Sequence, residues 1–411
     1  MARIRPFQAI RPREDVARKV AALPYDVYNR EEALEEIKKE PLSFLKVDRP
    51  ETHFPEDFNP YDPEVYKKAR EILQEMIQEG IFIRETKPCY YIYELTMDGR
   101  AQTGLVGCAA IDDYLQDVIK KHELTREDKE LDRINHVDVC NAQTGPIFLT
   151  YRSQASINEV IEKVKQKTPL YDFMASDGVR HVVWVISEDR DLEKITSGFA
   201  GIQSIYIADG HHRTASAVKV GLKRREEHPN YTGQEEFNFF LSVLFPDDQL
   251  LILDYNRVVK DLNGLSKAEF LEEIKRGFEL EEIGNTPYKP EEKATFGMAL
   301  EGTWYKLRAR EEIRSTDPVE GLDVSLLQNH LLTPILQIMD IRTDKRIDFV
   351  GGIRGLQELE KRTNSDMKCA FSLYPTSIQE LFAVSDAGRL MPPKSTWFEP
   401  KLRSGLFIHE L

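Results

Sequence analysis

The sequence predicts an α+β protein built on mixed, largely antiparallel sheets with flanking helices. Three observations carry that expectation. β-rich runs meet at tight turns, most clearly in CYYIYELTMDGRAQTGLVGCAAID, where Asp98-Gly99 supplies the positive φ angles of a short hairpin. Amphipathic helices are interspersed without the regular strand–helix alternation of a parallel sheet. Through the middle of the chain, apolar β runs outnumber helical ones.

The elements follow in order. Asn29 precedes REEALEEIKKE, and Glu32 stands at the spacing of an N-cap and its N3 carboxylate. Residues 53–63 are rich in Pro, Asp and Phe and read as a loop. The next segment, YDPEVYKKAREILQEMIQEG, puts Val65, Ala69, Ile72, Leu73 and Met76 on one helical stripe and stops at Gly80. After the hairpin, Thr125 and Asp128 have the spacing of a further helix start. HVVWVI (181–186) follows Asp177-Gly178, and SIYIA (204–208) runs straight into Asp209-Gly210. FNFFLSVLF and LLILDYNRVV flank a turn at 246–248, and GMALEGTWYKL folds about Glu301-Gly302. DVSLLQNHLLTPILQIM and SIQELFAVSDAG are helical, and the tail from Met391 is extended. The polar stretch 224–236 sets the expected boundary, giving domains 1–230 and 231–411, with the tail of the second free to return to the site.

The 411 residues suffice for two buried cores. The 22 Gly and 21 Pro are spread without period, which excludes collagen-like and low-complexity classes. No apolar stretch approaches the roughly 20 residues that span a bilayer, and the start MARIRPFQAIRPRED lacks the apolar segment of a secretory signal. Cys89, Cys108, Cys140 and Cys369 form no CxxC pair, so neither a zinc ribbon nor a disulfide framework is expected. These features describe a soluble, reduced, cytoplasmic protein. With 56 Lys+Arg against 70 Asp+Glu, the net charge of −14 repels polyanions. The densest basic run, Lys219 to Arg225, is followed at once by Glu226 and Glu227 and reads as a solvated helix face. Nucleic acid is therefore disfavoured as a partner and a membrane is not expected, while a focused site for a small anionic ligand needs no basic surface.

The sharpest chemical signal is IYIADGHHRTASA (205–217). A β run stops at Asp209-Gly210 and a helix of good formers begins. The first turn of a helix exposes unpaired N–H groups and the positive end of its dipole. Gly210 lets backbone approach a ligand, Arg213 offers a fork of donors suited to phosphate, and His211 and His212 add donors about 100° apart. Together they describe an anion cradle. The plainer alternative is a helix capped by Asp209. A metal held by the two histidines is disfavoured, because adjacent helical residues diverge and no HExxH accompanies them.

A second constellation is KKHELTREDKELDR (120–133), a salt-bridged surface helix preceded by His122 and Glu123 on a loop. A loop carboxylate placed by a helix start can act as a general base; spacing alone favours the plain surface helix. Gly351-Gly352 and Gly355 lack the Lys-Ser/Thr of a phosphate loop and read as a turn. Lys394, Ser395 and Thr396, with Lys401 nearby, can hold an anion or simply lie in solvent.

These residues resemble one family over nearly the whole chain, the bacterial and archaeal domain-of-unknown-function family 1015. The resemblance is carried by RPFQAIRP (5–12), VAALPYDVYNREEA (20–33), PLSFLKVDRPE (41–51) and KHELTREDKELDR (121–133). It continues in GPIFLTY (145–151), IADGHHRTASA (207–217) and MPPKSTWFEPKLRSGLFI (391–408). The Asp-Gly-His-His-Arg turn also looks like the nucleotide-binding box of the ParB/sulfiredoxin superfamily, over about a dozen residues. Its archaeal free-serine kinases show a similar turn that holds nucleotide phosphates while a glutamate acts as base. Sulfiredoxins carry a catalytic cysteine there, where this chain has His211 and His212, so sulfinic-acid reduction is not expected.

The resemblance implies a small-molecule kinase that moves phosphoryl from ATP or ADP to free L-serine. Glu123 would be its base, with His122 as substitute. Asp209, Gly210, His211, His212 and Arg213 would hold the nucleotide, Asp209 the Mg²⁺, and Lys394, Ser395 and Thr396 a second layer. The alternative is a nucleotide-sensing regulatory or DNA-associated protein of ParB-like mechanism.

Overall fold

A computed structural model describes residues 1–411. The chain divides into two compact units, Met1–Leu250 with Pro400–Leu411, and Leu251–Glu399. The expected division at 230/231 falls instead after Leu250. The reason is the apolar run that follows the polar stretch: it becomes a central strand of the first unit's sheet.

That sheet has nine strands. In chain order they are β1 (Ile4–Arg5), β2 (Tyr90–Met97), β3 (Arg100–Ala110), β4 (Ile119–Lys120), β5 (Ile147–Tyr151), β6 (Tyr171–Met174), β7 (Arg180–Ile186), β8 (Ile205–Asp209) and β9 (Phe239–Pro246). They lie in the order β4-β8-β5-β9-β3-β2-β7-β6, with β1 on β3. Only β4–β8 and β5–β9 run parallel; the other pairs are antiparallel. The sheet is thus mixed and largely antiparallel, as expected. β9 sits between β5 and β3 and is buried at every residue, which accounts for its unbroken apolar sequence.

Helices pack around this sheet. They are α1 (Arg30–Lys39), α2 (Pro63–Gln78), α3 (Glu127–Cys140), α4 (Ala155–Lys165), α5 (Asp189–Ala200) and α6 (His211–Glu227). α1 opens on the expected capping box of Asn29 and Glu32. α2 buries the expected stripe, with Tyr66 added to it, and Gly80 turns the chain just past its end at φ 69°. The hairpin β2–β3 turns on Asp98 (φ 51°) and Gly99 (φ 78°), as its Asp-Gly required. The start of α3 differs from expectation. Arg126 occupies the N-cap without a side-chain bond, and the Thr125 hydroxyl donates instead to Glu130 Oε2 at 2.8 Å.

The second unit carries a six-stranded sheet of β10 (Tyr255–Val259), β11 (Phe278–Gly284), β12 (Thr295–Leu300), β13 (Thr303–Ala309), β14 (Ile347–Gly351) and β15 (Cys369–Leu373). All its pairs are antiparallel, including the β12–β13 hairpin on Glu301 and Gly302. All four cysteines are free and buried. No helix is long and apolar enough to cross a membrane.

Candidate active site

β8 ends at Asp209, and Gly210 turns the chain into α6 at φ 96° and ψ 34°. The glycine is required twice over. Its φ lies where side chains are strained, and a Cβ there would sit 3.1 Å from the Arg213 guanidinium, which folds back over the turn. The Gly210 carbonyl accepts from Thr214 N at 2.9 Å and Thr214 Oγ1 at 3.0 Å, closing the first helical turn. No side chain caps α6. Asp209 accepts from Gly210 N at 2.9 Å, one residue short of a cap. The first N–H groups of the helix, those of His211, His212 and Arg213, therefore have no acceptor within it.

The two histidines anchor the loop that carries Glu123. His211 Nε2 accepts from His122 N at 3.5 Å, and His212 Nε2 accepts from Arg126 N at 3.0 Å. An imidazole that accepts at Nε2 carries its proton on Nδ1. In His211 that Nδ1 lies 3.8 Å from Glu123 Oε2. The His122 ring stands edge-on to His211 at 4.5 Å between centroids, and its Nδ1 is buried without a partner. Burial pushes His122 down to about 4, lowers His212, and, with His122 beside it, holds His211 well below the usual range. All three are neutral near neutral pH. His211 and His212 thus stand where the sequence put them, but their Nε2 atoms serve the loop, and the donors left for an anion are the backbone N–H groups.

Arg213 is drawn to the other side of the turn. Its Nη1 donates to the Pro146 carbonyl at 2.6 Å, and Nη2 lies 3.9 Å from Asp209 Oδ2. Lys401 Nζ approaches the same oxygen at 3.5 Å. Burial pushes the Asp209 carboxyl up, but Lys401, Arg213 and His211 outweigh it and hold it well below the ordinary carboxylate range. Asp209 is an anion between two cations. One carboxylate so neutralised is a poor direct ligand, and no group of three or more His, Cys, Asp or Glu side chains that could hold a metal stands together in the chain.

Lys394, Ser395 and Thr396 belong to the second unit. There Lys394 (φ 61°) presents its carbonyl to Arg257 Nη2 at 3.0 Å, and Ser395 Oγ donates to the Pro392 carbonyl at 2.5 Å. Lys401 is the functional candidate that sequence reasoning noted only as a neighbour. Also missed was a small cavity, partly open to solvent, that Arg213 shares with Tyr25, Asp48, Arg133, Thr144 and Ser404. The signal for it was present in the stretches around residues 24, 48 and 133, which carry the resemblance; the first two contain none of the expected site residues, and in the third attention fell on His122 and Glu123.

No curated protein matches the chain. Among solved structures, a mutant free serine kinase in complex with AMP is 15% identical with a TM-score of 0.37, covering 78% of this chain and 93% of that one. A conserved hypothetical protein from Pyrococcus furiosus is 15% identical with a TM-score of 0.35, covering 74% and 94%. SbnI with a C-terminal truncation, from Staphylococcus aureus, is 11% identical with a TM-score of 0.39, covering 74% and 86%. Likenesses of this strength assign no activity to the present chain. The family described as "Protein of unknown function (DUF1015)" matches residues 4–325, well over half of the sequence, and the chain belongs to that family.

Proposed function

We propose that the protein is a small-molecule kinase that transfers phosphoryl from ATP or ADP to the hydroxyl of free L-serine. The observation that carries this reading is the Glu123 carboxylate held beside His211 at the uncapped start of α6. Phosphoryl transfer asks a protein for positioning and charge neutralisation more than for covalent chemistry. The first-turn N–H groups of His211, His212 and Arg213, with Gly210 allowing close approach, would receive phosphate oxygens. Glu123 would take the hydroxyl proton as the serine oxygen bonds to the terminal phosphorus and the bridging P–O bond breaks, releasing ADP from ATP or AMP from ADP. His122 is buried and neutral, and its part is to position His211. Mg²⁺ bound with the nucleotide would supply neutralisation of phosphate charge, with Asp209 the residue that would attend it.

The test is ³¹P NMR of the protein with L-serine, Mg²⁺ and either donor. An O-phosphoserine resonance is expected. No phosphorylated product with either donor, across a panel of hydroxy-metabolites, overturns the reading.

One observation favours a second reading, a nucleotide-sensing regulatory or DNA-associated protein of ParB-like mechanism. Two hydrogen bonds tie the 122–126 loop to the first two residues of α6. A nucleotide at that helix start would shift the loop. Nucleotide-dependent DNA retardation without phosphoryl product would support it.

A further inference from the structure

The cavity beside Arg213 has a charge pattern that the phosphate site does not use. Six of the seven stretches that carry the family resemblance contribute to its wall, although they are scattered from Pro24 to Ser404. On one side stands Asp48, 3% exposed, whose Oδ1 accepts from Thr144 Oγ1 at 2.8 Å and which forms no ion pair. On another stands Arg133, 8% exposed, its guanidinium 4.0 Å over the ring of Tyr25. Arg133 Nε and Nη2 both donate to Asp132 Oδ2, at 3.0 and 2.8 Å, which leaves Nη1 without a protein partner. The neighbouring His136 bonds the Val47 carbonyl at 2.9 Å, and burial together with Arg133 keeps it neutral, so it supplies no charge to Asp48.

A buried carboxylate that makes no contact ion pair is costly to maintain, even with Arg133 near enough to feel its charge. Here it faces a cavity whose lining carries both signs, Asp48 against Arg133 and Arg213, with Arg133 also bonded to Asp132. A phosphate would gain from the two arginines and be repelled by Asp48. A simple amine would meet the reverse. A ligand carrying both signs, a short bond or two apart, matches both ends at once, and the apolar Ile147 and Ala217 close the rest of the wall.

We infer that this cavity binds a free α-amino acid as its zwitterion, with the ammonium group on Asp48 and the carboxylate on Arg133. Arg213 borders both this cavity and the Asp209–Gly210 turn, which sets the cavity beside the phosphate end of the proposed kinase. The inference rests on that reading only for the fate of the side-chain hydroxyl.

Calorimetric titration of the full chain without nucleotide tests it. The probes are L-serine, ethanolamine (no carboxylate) and 3-hydroxypropionate (no ammonium). L-serine is expected to bind, and each analogue to bind at least tenfold more weakly. Asp48→Asn should weaken L-serine at least tenfold and leave 3-hydroxypropionate unchanged, a pattern that general damage to the fold does not produce. The inference is overturned if 3-hydroxypropionate matches serine, if Asp48→Asn weakens both equally, or if glycine, alanine, serine and threonine all fail to bind. Serine binding without phosphoserine formation sinks the kinase and keeps the site. Phosphoserine formation with an unchanged KM for serine in Asp48→Asn sinks the site and keeps the kinase.

Discussion

The Nδ1–H of His211 faces the Glu123 carboxylate at 3.8 Å, while the other nitrogen of the ring accepts the backbone N–H of His122. One neutral imidazole thereby holds the loop and stands near its carboxylate. Glu123→Gln keeps the shape of the side chain and removes the base. It should lower kcat on the order of 10²–10⁴-fold, the usual worth of a positioned proton acceptor, with nucleotide affinity unchanged. Product formation by ³¹P NMR beside a nucleotide titration checks this; an unaltered kcat removes Glu123 from the chemistry. His211 is a positioning residue. His211→Asn, whose side-chain amide can still donate, should retain more of kcat than His211→Ala, at equal nucleotide affinity.

Acid should unfold the first unit through its buried histidines. His122 is pushed down to about 4 and His181 to about 3 by burial, and His211 and His136 are also lowered. A histidine whose folded value lies below its unfolded one binds more protons when unfolded, so stability falls as pH drops from the ordinary 6.5 toward the folded value. The displacement of His122 alone corresponds to about 3 kcal/mol. Thermal melting between about pH 7 and pH 4.5 should show a steep decline, shallower in His122→Gln. A flat profile would contradict the neutral burial of these rings.

Gly210→Ala places a methyl carbon 3.1 Å from the Arg213 guanidinium, at a φ of 96°. The backbone strain should destabilise the protein by about 1–3 kcal/mol. The arginine should shift by a few tenths of an ångström against its bond to the Pro146 carbonyl. Urea unfolding should report the first effect and weaker nucleotide binding the second; full nucleotide affinity in the alanine variant would show that the turn is no cradle.

Local signals in the sequence were faithful where one dipeptide or one turn decides the outcome. Asp98-Gly99 is a hairpin turn because both residues accept positive φ, and Glu301-Gly302, where only the glycine does so readily, turns the same way. Asn29 and Glu32 cap α1 because both bonds close within four residues. Long-range pairings left no such mark. Thr125 fits a cap by spacing, yet its hydroxyl is claimed by Glu130, which also pairs with Lys219 of α6. The polar stretch before β9 looked like a boundary because nothing local shows that Phe239–Pro246 inserts between two strands. Asp48 and Arg133 escaped notice for the same reason: each is unremarked in its own segment, and the cavity exists only once four or more segments meet.

Lys401 is the nearest cation to Asp209, at 3.5 Å, and enters the first unit from the far end of the sequence. Lys401→Met removes one positive charge from the turn and leaves Arg213, 3.9 Å from the same carboxylate. The Asp209 carboxyl should then titrate at higher pH than in the parent protein, since Lys401 is the first of the groups that hold it down. Protonation would follow at a milder acidity, because a group held low in the folded state stabilises it only above that value. ¹³C NMR of the carboxyl groups reads this directly. In the same variant nucleotide affinity should fall severalfold, and should depend less steeply on salt, because one phosphate-attracting charge is gone. An unchanged Asp209 midpoint together with unchanged affinity would mean that Lys401 anchors the C-terminal segment and has no electrostatic part in the site.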